Sequence, residues 1–323
     1  MINRDSQTGF VIALAWPETC CKEAGSWYDP LMRRLGINRN NYYRAGHAAL
    51  VLIDSAARRC HYFDFGRYHS PYKYGRARSA GTDHDLHMYT VPKISEDGRS
   101  ILNFKEILTE LQLNPSCHGE GTLYASYTGV NFNKAIKKAN LFQEAGPIHY
   151  GPFIIGGSNC SRFVNSVIMA GKPSWFRRLR LRLKLSITPT PRGNVKALTD
   201  RTSLPSMRGG TPLFPVRPLG IENLQSTLSR PAKHHSIPDN AQWLSGEGAG
   251  SWFACSFSEA KLHVTRYSPD GTVECSGIYE TTINNATIDK FGNFRVDYPS
   301  NCLEVWLNYQ GGRVRYRNIM SRS

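Results

Sequence analysis

Three residues from distant parts of the sequence have the side chains of a cysteine-dependent hydrolase: Cys160, His47 and Asp64. A thiol can attack a carbonyl carbon when a nearby imidazole removes its proton. A carboxylate can hold that imidazole in the useful tautomer. Together, such groups would cleave an amide or an ester through an acyl-enzyme, provided that the elements carrying them meet in the fold.

The stretch from Gly156 to Gly171 predicts a helix that begins at Cys160. Ser158 or Asn159 can cap its N-terminus, and apolar residues recur behind the cysteine at helical spacing. A thiol in the first turn lies near free backbone N–H groups and the positive end of the helix dipole, which favours the thiolate. A small buried cysteine without a role is the alternative interpretation.

Two apolar runs, residues 46–54 and 60–66, predict a β-hairpin. His47 opens the first strand, where an imidazole has no packing reason to lie. Pairing across the turn places Asp64 opposite His47, and directly opposed side chains in an antiparallel pair are close enough to touch. We therefore expect Asp64 to bind one ring nitrogen of His47 and the other nitrogen to face Cys160.

Several other residues are candidates for the same site. Glu18, just after the first predicted strand, is an alternative third residue. The predicted substrate contacts are Trp16, Arg67, His118 and Asn159. No cysteine and histidine spacing supports a metal site, so we expect neither a metal nor another cofactor.

The chain order of these residues resembles that of circularly permuted papain-like hydrolases, which include cell-wall peptidase-like proteins and relatives of lecithin:retinol acyltransferase. The resemblance extends from Phe10 to about Val195 and covers a bacterial family of this type. The strings that carry it are Ala13–Glu18, Gly46–Ala49, Tyr62–Tyr68 and Ser158–Val164. The resemblance implies a nucleophilic Cys160 and a basic His47. Relatives place His, Asn, Asp or Glu at the third position, and their substrates span peptides, amides and esters.

The composition and the positions of glycine and proline predict an α+β protein with three parts. Residues 1–187 form the permuted papain-like domain with an antiparallel sheet. Residues 188–238 form a basic, proline-rich connector, because prolines deny regular structure there. Residues 239–323 form a small antiparallel β module, since short alternating runs are separated by Asp-Gly and Gly-Gly turns.

The formal net charge of +15 is concentrated, because residues 171–235 hold 13 lysines and arginines against two acidic residues. Residues 175–187 alternate basic with apolar side chains, which predicts a strand with one solvated face. The basic residues are Arg178, Arg180, Arg182 and Lys184. They offer a site for nucleic acid or an anionic surface, although a basic loop on a soluble enzyme is the commoner case.

The sequence contains no apolar run of membrane-spanning length and no signal-peptide pattern, so the expected location is the cytoplasm, with reduced thiols. A secreted antibacterial effector exported by a signal-free route is a further interpretation. Two other functions remain open. One is acyl transfer to an amine or alcohol on the same triad, and the other is a binding module that keeps the fold without catalysis.

Overall fold

The structure of the chain is a computed structural model. It describes residues 7–23, 26–39, 42–43, 45–117, 119, 121–183, 188–204, 207–208, 211–212, 230–258, 261–281, 293–309 and 312–319. The fold is α+β with antiparallel sheets and a separate all-β C-terminal part, which confirms the predicted class.

The helices are α1 (Asp29–Arg34), α2 (Phe104–Leu113), α3 (Phe132–Glu144), α4 (Cys160–Ala170), α5 (Trp175–Leu183) and α6 (Pro191–Ala197). The first ten strands are β1 (Gly9–Trp16), β2 (Cys21–Lys22), β3 (Asn38–Arg39), β4 (Tyr42–Tyr43), β5 (His47–Asp54), β6 (Arg59–Gly66), β7 (Tyr74–Arg78), β8 (Leu123–Val130), β9 (Ile148–His149) and β10 (Thr199–Leu204). The others are β11 (Met207–Arg208), β12 (Thr211–Pro212), β13 (Gln242–Leu244), β14 (Ser251–Ser258), β15 (Lys261–Tyr267), β16 (Val273–Glu280), β17 (Phe294–Asp297), β18 (Glu304–Tyr309) and β19 (Gly312–Asn318).

The N-terminal sheet has seven antiparallel strands in the order β10, β8, β1, β5, β6, β7, β9. Its central strands β1 and β5 are apolar on both faces because helices cover both. Helices α3, α4 and α6 pack on one face, and α2 packs on the other. Each fully buried leucine of these strands stabilises the domain by about 1.5–3 kcal/mol relative to exposure. The sheet is therefore a rigid support for side chains at its strand ends.

The hairpin of β5 and β6 forms as predicted, but its register differs by two residues. Asp64 lies opposite Ala49, and His47 lies opposite Trp16 of β1. The pairing extends to Asp54, whose Oδ1 accepts the N–H groups of the turn residues 56 and 57 at 2.9 and 3.1 Å. Because side chains alternate with a period of two, this shift keeps Asp64 on the same face as His47.

The basic segment is a helix and not the predicted strand. Residues Trp175–Leu183 form α5, because leucine and arginine are strong helix formers and the alternation gives no cross-strand partner. Lys184 lies outside the described residues. The predicted connector also contains regular structure, since α6 and β10 lie within it and β10 pairs with β8. Pro191 is the first residue of α6, a position where proline stabilises a helix.

The C-terminal part is a seven-stranded antiparallel sheet in the order β13, β14, β15, β16, β19, β18, β17. The side chain of Gln242 joins its two edge strands. Its Nε2 donates to the carbonyl of Phe294 at 3.0 Å, and its Oε1 accepts the N–H of Val296 at 3.0 Å. The sheet thus curls toward a closed barrel around an apolar interior.

Candidate active site

Helix α4 holds Cys160 at its first position. Asn159 is extended, with φ −143°, and its Oδ1 accepts the N–H of Arg162 at 2.8 Å. Phe163 and Val164 bury the helix against the sheet. The predicted helix, its cap and its end at Gly171 are confirmed. The thiol is therefore fixed by both the cap and the core.

The thiol of Cys160 lies beside the first residues of β5. Its Sγ lies 3.9 Å from Oγ of Ser161, and the backbone N–H of Ala48 and the hydroxyl of Tyr150 act to lower its pKa. Burial nevertheless raises the pKa of Cys160, because desolvation of the thiolate outweighs these hydrogen bonds. The expectation that the helix start favours the thiolate is thus wrong for this state of the site, and the thiol is neutral near pH 7.

His47 is buried at the start of β5, and its ring stacks on Trp16 with ring centroids 5.7 Å apart. Burial lowers the pKa of His47 to about 4; Asp64 opposes this shift and Arg78 adds to it. The imidazole is therefore neutral at pH 7, the form that can accept a proton. Its Nε2 is buried and has no hydrogen-bond partner within the described part of the chain.

Asp64 lies close to His47 but binds Arg78 more tightly. Its Oδ2 is 3.8 Å from Nε2 of His47, which is too long for a hydrogen bond. Arg78 donates Nε to Oδ1 at 3.0 Å and Nη2 to Oδ2 at 2.5 Å. The hydroxyl of Tyr62 donates to Oδ2 at 3.2 Å. Asp64 can therefore act on His47 electrostatically, while its main hydrogen bonds hold the arginine.

Cys160 lines a cavity of about 580 Å³. The wall is mostly aromatic and aliphatic, and its large side chains of these two kinds are Tyr28, Met32, Ile37, Tyr43, Tyr150 and Phe153. Asn159 and Arg67, two predicted substrate contacts, also line it. The volume is large enough for a small-molecule ligand or the end of a longer substrate.

The other predicted site residues are placed differently. Trp16 is buried beneath the His47 ring, and neither residue is among those that line the cavity. His47 lies on the face of the sheet that α2 covers and Cys160 on the face that α4 covers, so the predicted approach of a His47 nitrogen to Cys160 is not among the described contacts. Glu18 accepts the N–H of Thr122 at 3.1 Å through Oε2, so it fixes a turn, and none of its described hydrogen bonds or ion pairs reaches His47. His118 lies outside the described residues.

Two contacts of this site were not predicted from the sequence. Arg78 binds Asp64, and Glu247 of the C-terminal part accepts a hydrogen bond from Arg67 at 2.9 Å. The contact of Arg78 with Asp64 could have been predicted, because Arg78 lies on a short strand that pairs with the strand of Asp64. No local pattern could have predicted the contact of Glu247 with Arg67, since the two residues are 180 positions apart in the sequence.

Among the described residues, no three histidine, cysteine or acidic side chains are grouped as a metal site would require. No described helix is both long and apolar enough to cross a membrane.

Residues 11–175 match the family model described as type VI secretion system effector TseH-like, which is just over half of the chain, and the chain belongs to this family. Residues 241–319 match the model described as the DUF6695 C-terminal domain. No curated protein is similar enough in sequence to count as a match.

Among solved structures, the chain is similar to a crystal structure of the type VI secretion system effector TseH. The two share 18% sequence identity, and the match covers 52% of this chain and 79% of that chain. The TM-score is 0.34, which is too low to support an argument about the fold.

Proposed function

We propose that this chain is a cysteine hydrolase that cleaves an amide or ester bond, with Cys160 as nucleophile, His47 as base and Asp64 as the residue that orients His47. The observation that supports it most is the thiol at a capped helix start, on the wall of a ligand-sized cavity. The chain order of these residues resembles that of a permuted papain-like enzyme, which also supports the proposal.

The reaction begins from a neutral thiol and a neutral imidazole. Sγ of Cys160 attacks the carbonyl carbon while its proton passes to His47, so the charge pair forms only as the bond forms. Backbone N–H groups in the first turn of α4 hold the oxyanion. The leaving amine or alkoxide then takes the proton from His47, and water hydrolyses the thioester to restore the thiol.

The membership in a family of type VI secretion effectors supports a role outside the producing cell. We propose that the protein is exported through that route. The substrate would then be an amide or ester that the protein meets after delivery.

The test is labelling with electrophilic acylating probes, followed by intact-mass and peptide analysis. We expect one label at Cys160, and we expect Cys160→Ala and His47→Gln to lose it. Cys21 lines the same cavity, so Cys21→Ser is a matched control that should label like the wild type. Labelling that persists in Cys160→Ala and disappears in Cys21→Ser would refute the assignment.

A binding module without catalysis is the second candidate. It is favoured by the raised thiol pKa and by the 3.8 Å separation between Nε2 of His47 and Oδ2 of Asp64. In that case, no probe would label Cys160 above the rate of its denatured thiol. Acyl transfer on the same triad differs only in the second substrate, so added amine or alcohol acceptors would divert the acyl-enzyme from water.

A further inference from the structure

Helix α5 exposes an apolar stripe that no described part of the chain covers. Trp175, Phe176, Leu179 and Leu183 are 64%, 53%, 42% and 73% exposed. At about 100° per residue, these four side chains fall within about 100° of one another around the helix axis. Large contiguous apolar patches are rare on soluble proteins unless they bind something.

The same helix is strongly basic. Arg178 and Arg182 flank the stripe on one side and Arg180 on the other, as the helical spacing places them. From residue 145 to residue 199 the sequence has nine lysines and arginines and no acidic residue. An apolar stripe bordered by arginines therefore lies in a region without compensating negative charge.

We propose that α5 docks on the surface of an anionic lipid bilayer. Tryptophan, phenylalanine and leucine would enter the boundary between headgroups and acyl chains, and the flanking arginines would bind lipid phosphates. Nucleic acid fits the charge but not the stripe, because four exposed apolar side chains at helical spacing gain nothing from a phosphate backbone. The helix is too short to span a bilayer, so it would lie in the interface.

The position of α5 gives this docking a direction. Leu181 on its inner side packs in the same core as Cys160 and Val195 of α6, on one face of the N-terminal sheet. The first residue of α6, Pro191, lines the cavity. A bilayer-bound α5 would therefore hold the cavity-bearing side of the domain toward the lipid.

The experiment is co-sedimentation of the full chain with phosphatidylglycerol vesicles and with phosphatidylcholine vesicles. Cys160→Ala protein should bind like the wild type, so that binding is judged apart from catalysis. We expect binding to phosphatidylglycerol and much weaker binding to phosphatidylcholine. Replacing both Leu179 and Leu183 by Gln should weaken binding at least tenfold, because each would lose its burial in the interface.

Replacing both Arg178 and Arg182 by Gln should weaken binding to phosphatidylglycerol by about 25-fold, or about fivefold for each charge near the surface. Arg180 is kept because its Nη2 donates to the carbonyl of Lys196 at 2.6 Å. The matched control replaces Leu102 and Leu113 by Gln. They are 67% and 63% exposed, just before α2 and at its last residue, on the opposite face of the sheet. Circular dichroism and thermal unfolding verify that each variant folds.

The control variant should bind vesicles like the wild type. Equal weakening by the control, or no binding of the wild type to phosphatidylglycerol, would overturn the proposal. Binding to duplex DNA that needs Arg182 but not Leu179 and Leu183, without vesicle binding, would overturn it in favour of nucleic acid.

Discussion

The protein contains two buried clusters of histidine, aspartate and arginine that differ in how completely they are hydrogen-bonded. The site cluster consists of His47, Asp64 and Arg78. The interface cluster joins the two parts of the chain and consists of His69, Asp83, Arg76 and Arg266. In both clusters, burial lowers the pKa of the histidine.

In the interface cluster both nitrogens of His69 are bonded. Nε2 lies 2.7 Å from Oγ of Ser251, and Nδ1 lies 3.1 Å from Nη2 of Arg76. Because arginine can only donate, Nδ1 accepts, and Nε2 donates to Ser251. Both oxygens of Asp83 bind arginine, at 2.9 Å to Arg76 and 3.2 Å to Arg266.

The site cluster leaves Nε2 of His47 without a hydrogen bond among the described residues. A buried polar atom without a partner costs about 1–3 kcal/mol, and such a cost is expected where a group must exchange a proton. The comparison indicates that His69, with both ring nitrogens bonded, stabilises the domain interface, while His47, with Nε2 unbonded, is available for chemistry.

The largest expected effect is the difference in activity between variants of the two histidines. His47→Gln should lower kcat/KM by about ten-thousand-fold or more, because the thiol loses its base. His69→Gln should change kcat/KM by less than about tenfold and instead lower stability, since it disrupts a hydrogen-bonded network. Hydrolysis of an activated ester, measured beside thermal unfolding, checks both variants. Equal losses of activity would remove the distinction between the clusters.

The next effect concerns the two aspartates. Asp83→Asn should lower the free energy of unfolding by about 3–5 kcal/mol, because buried Arg76 loses its counter-charge and buried Arg266 keeps only Glu274. Asp64→Asn should destabilise as well, since it leaves buried Arg78 without its counter-charge. Urea unfolding measures both losses.

Adding Arg78→Met to Asp64→Asn should restore most of the stability, because no buried charge then remains unpaired. The activity of this double variant reports the role of Asp64 toward His47 without the cost of misfolding. Full activity in the stable double variant would show that Asp64 is dispensable.

A third prediction concerns the free energy of unfolding at acidic pH. The folded-state pKa of His47 is about 4, below its ordinary value of 6.5, so the unfolded chain binds more protons between these values. Neutral His47 therefore makes its full contribution to the free energy of unfolding above pH 6.5. The free energy of unfolding falls by about 3 kcal/mol as the pH is lowered toward 4. His47→Gln should flatten this slope, measured by urea unfolding from pH 7 to pH 4.

Part of the slope should remain in His47→Gln, because burial also lowers the pKa of His69. A slope identical to that of the wild type would mean that His47 is hydrated in solution and not buried as the structure describes.

These clusters also show what the sequence could and could not predict. Local patterns predicted the helix at Cys160 and the strand at His47, because caps and hydrophobic periodicity are short-range signals. The alternation of side chains along a strand correctly placed Asp64 on the same face of the sheet as His47, even though the predicted strand pairing differed from the observed one by two residues. The helix α5 was missed because its alternation of arginine with leucine also fits a strand.

The binding of Asp64 by Arg78 and the contact of Asp83 with Arg266 depend on tertiary placement. Asp83 and Arg266 are separated by 183 positions, so no local pattern links them. The thiol pKa was misjudged for a related reason, since the degree of burial is set by the packed domain and not by the helix start.

The smallest expected effect comes from removing one hydroxyl that binds a member of each cluster. Tyr62→Phe removes the 3.2 Å bond to Asp64, which keeps both bonds from Arg78, so we expect a loss of about 1 kcal/mol. Ser251→Ala should cost more, about 1–3 kcal/mol, because it leaves the N–H of His69 buried without an acceptor. Since Arg78 still holds Asp64 in Tyr62→Phe, we expect kcat/KM to be unchanged in that variant and in Ser251→Ala. Thermal unfolding and ester hydrolysis on both variants test this, and a large loss of activity in Tyr62→Phe would mean that the tyrosine itself serves the reaction.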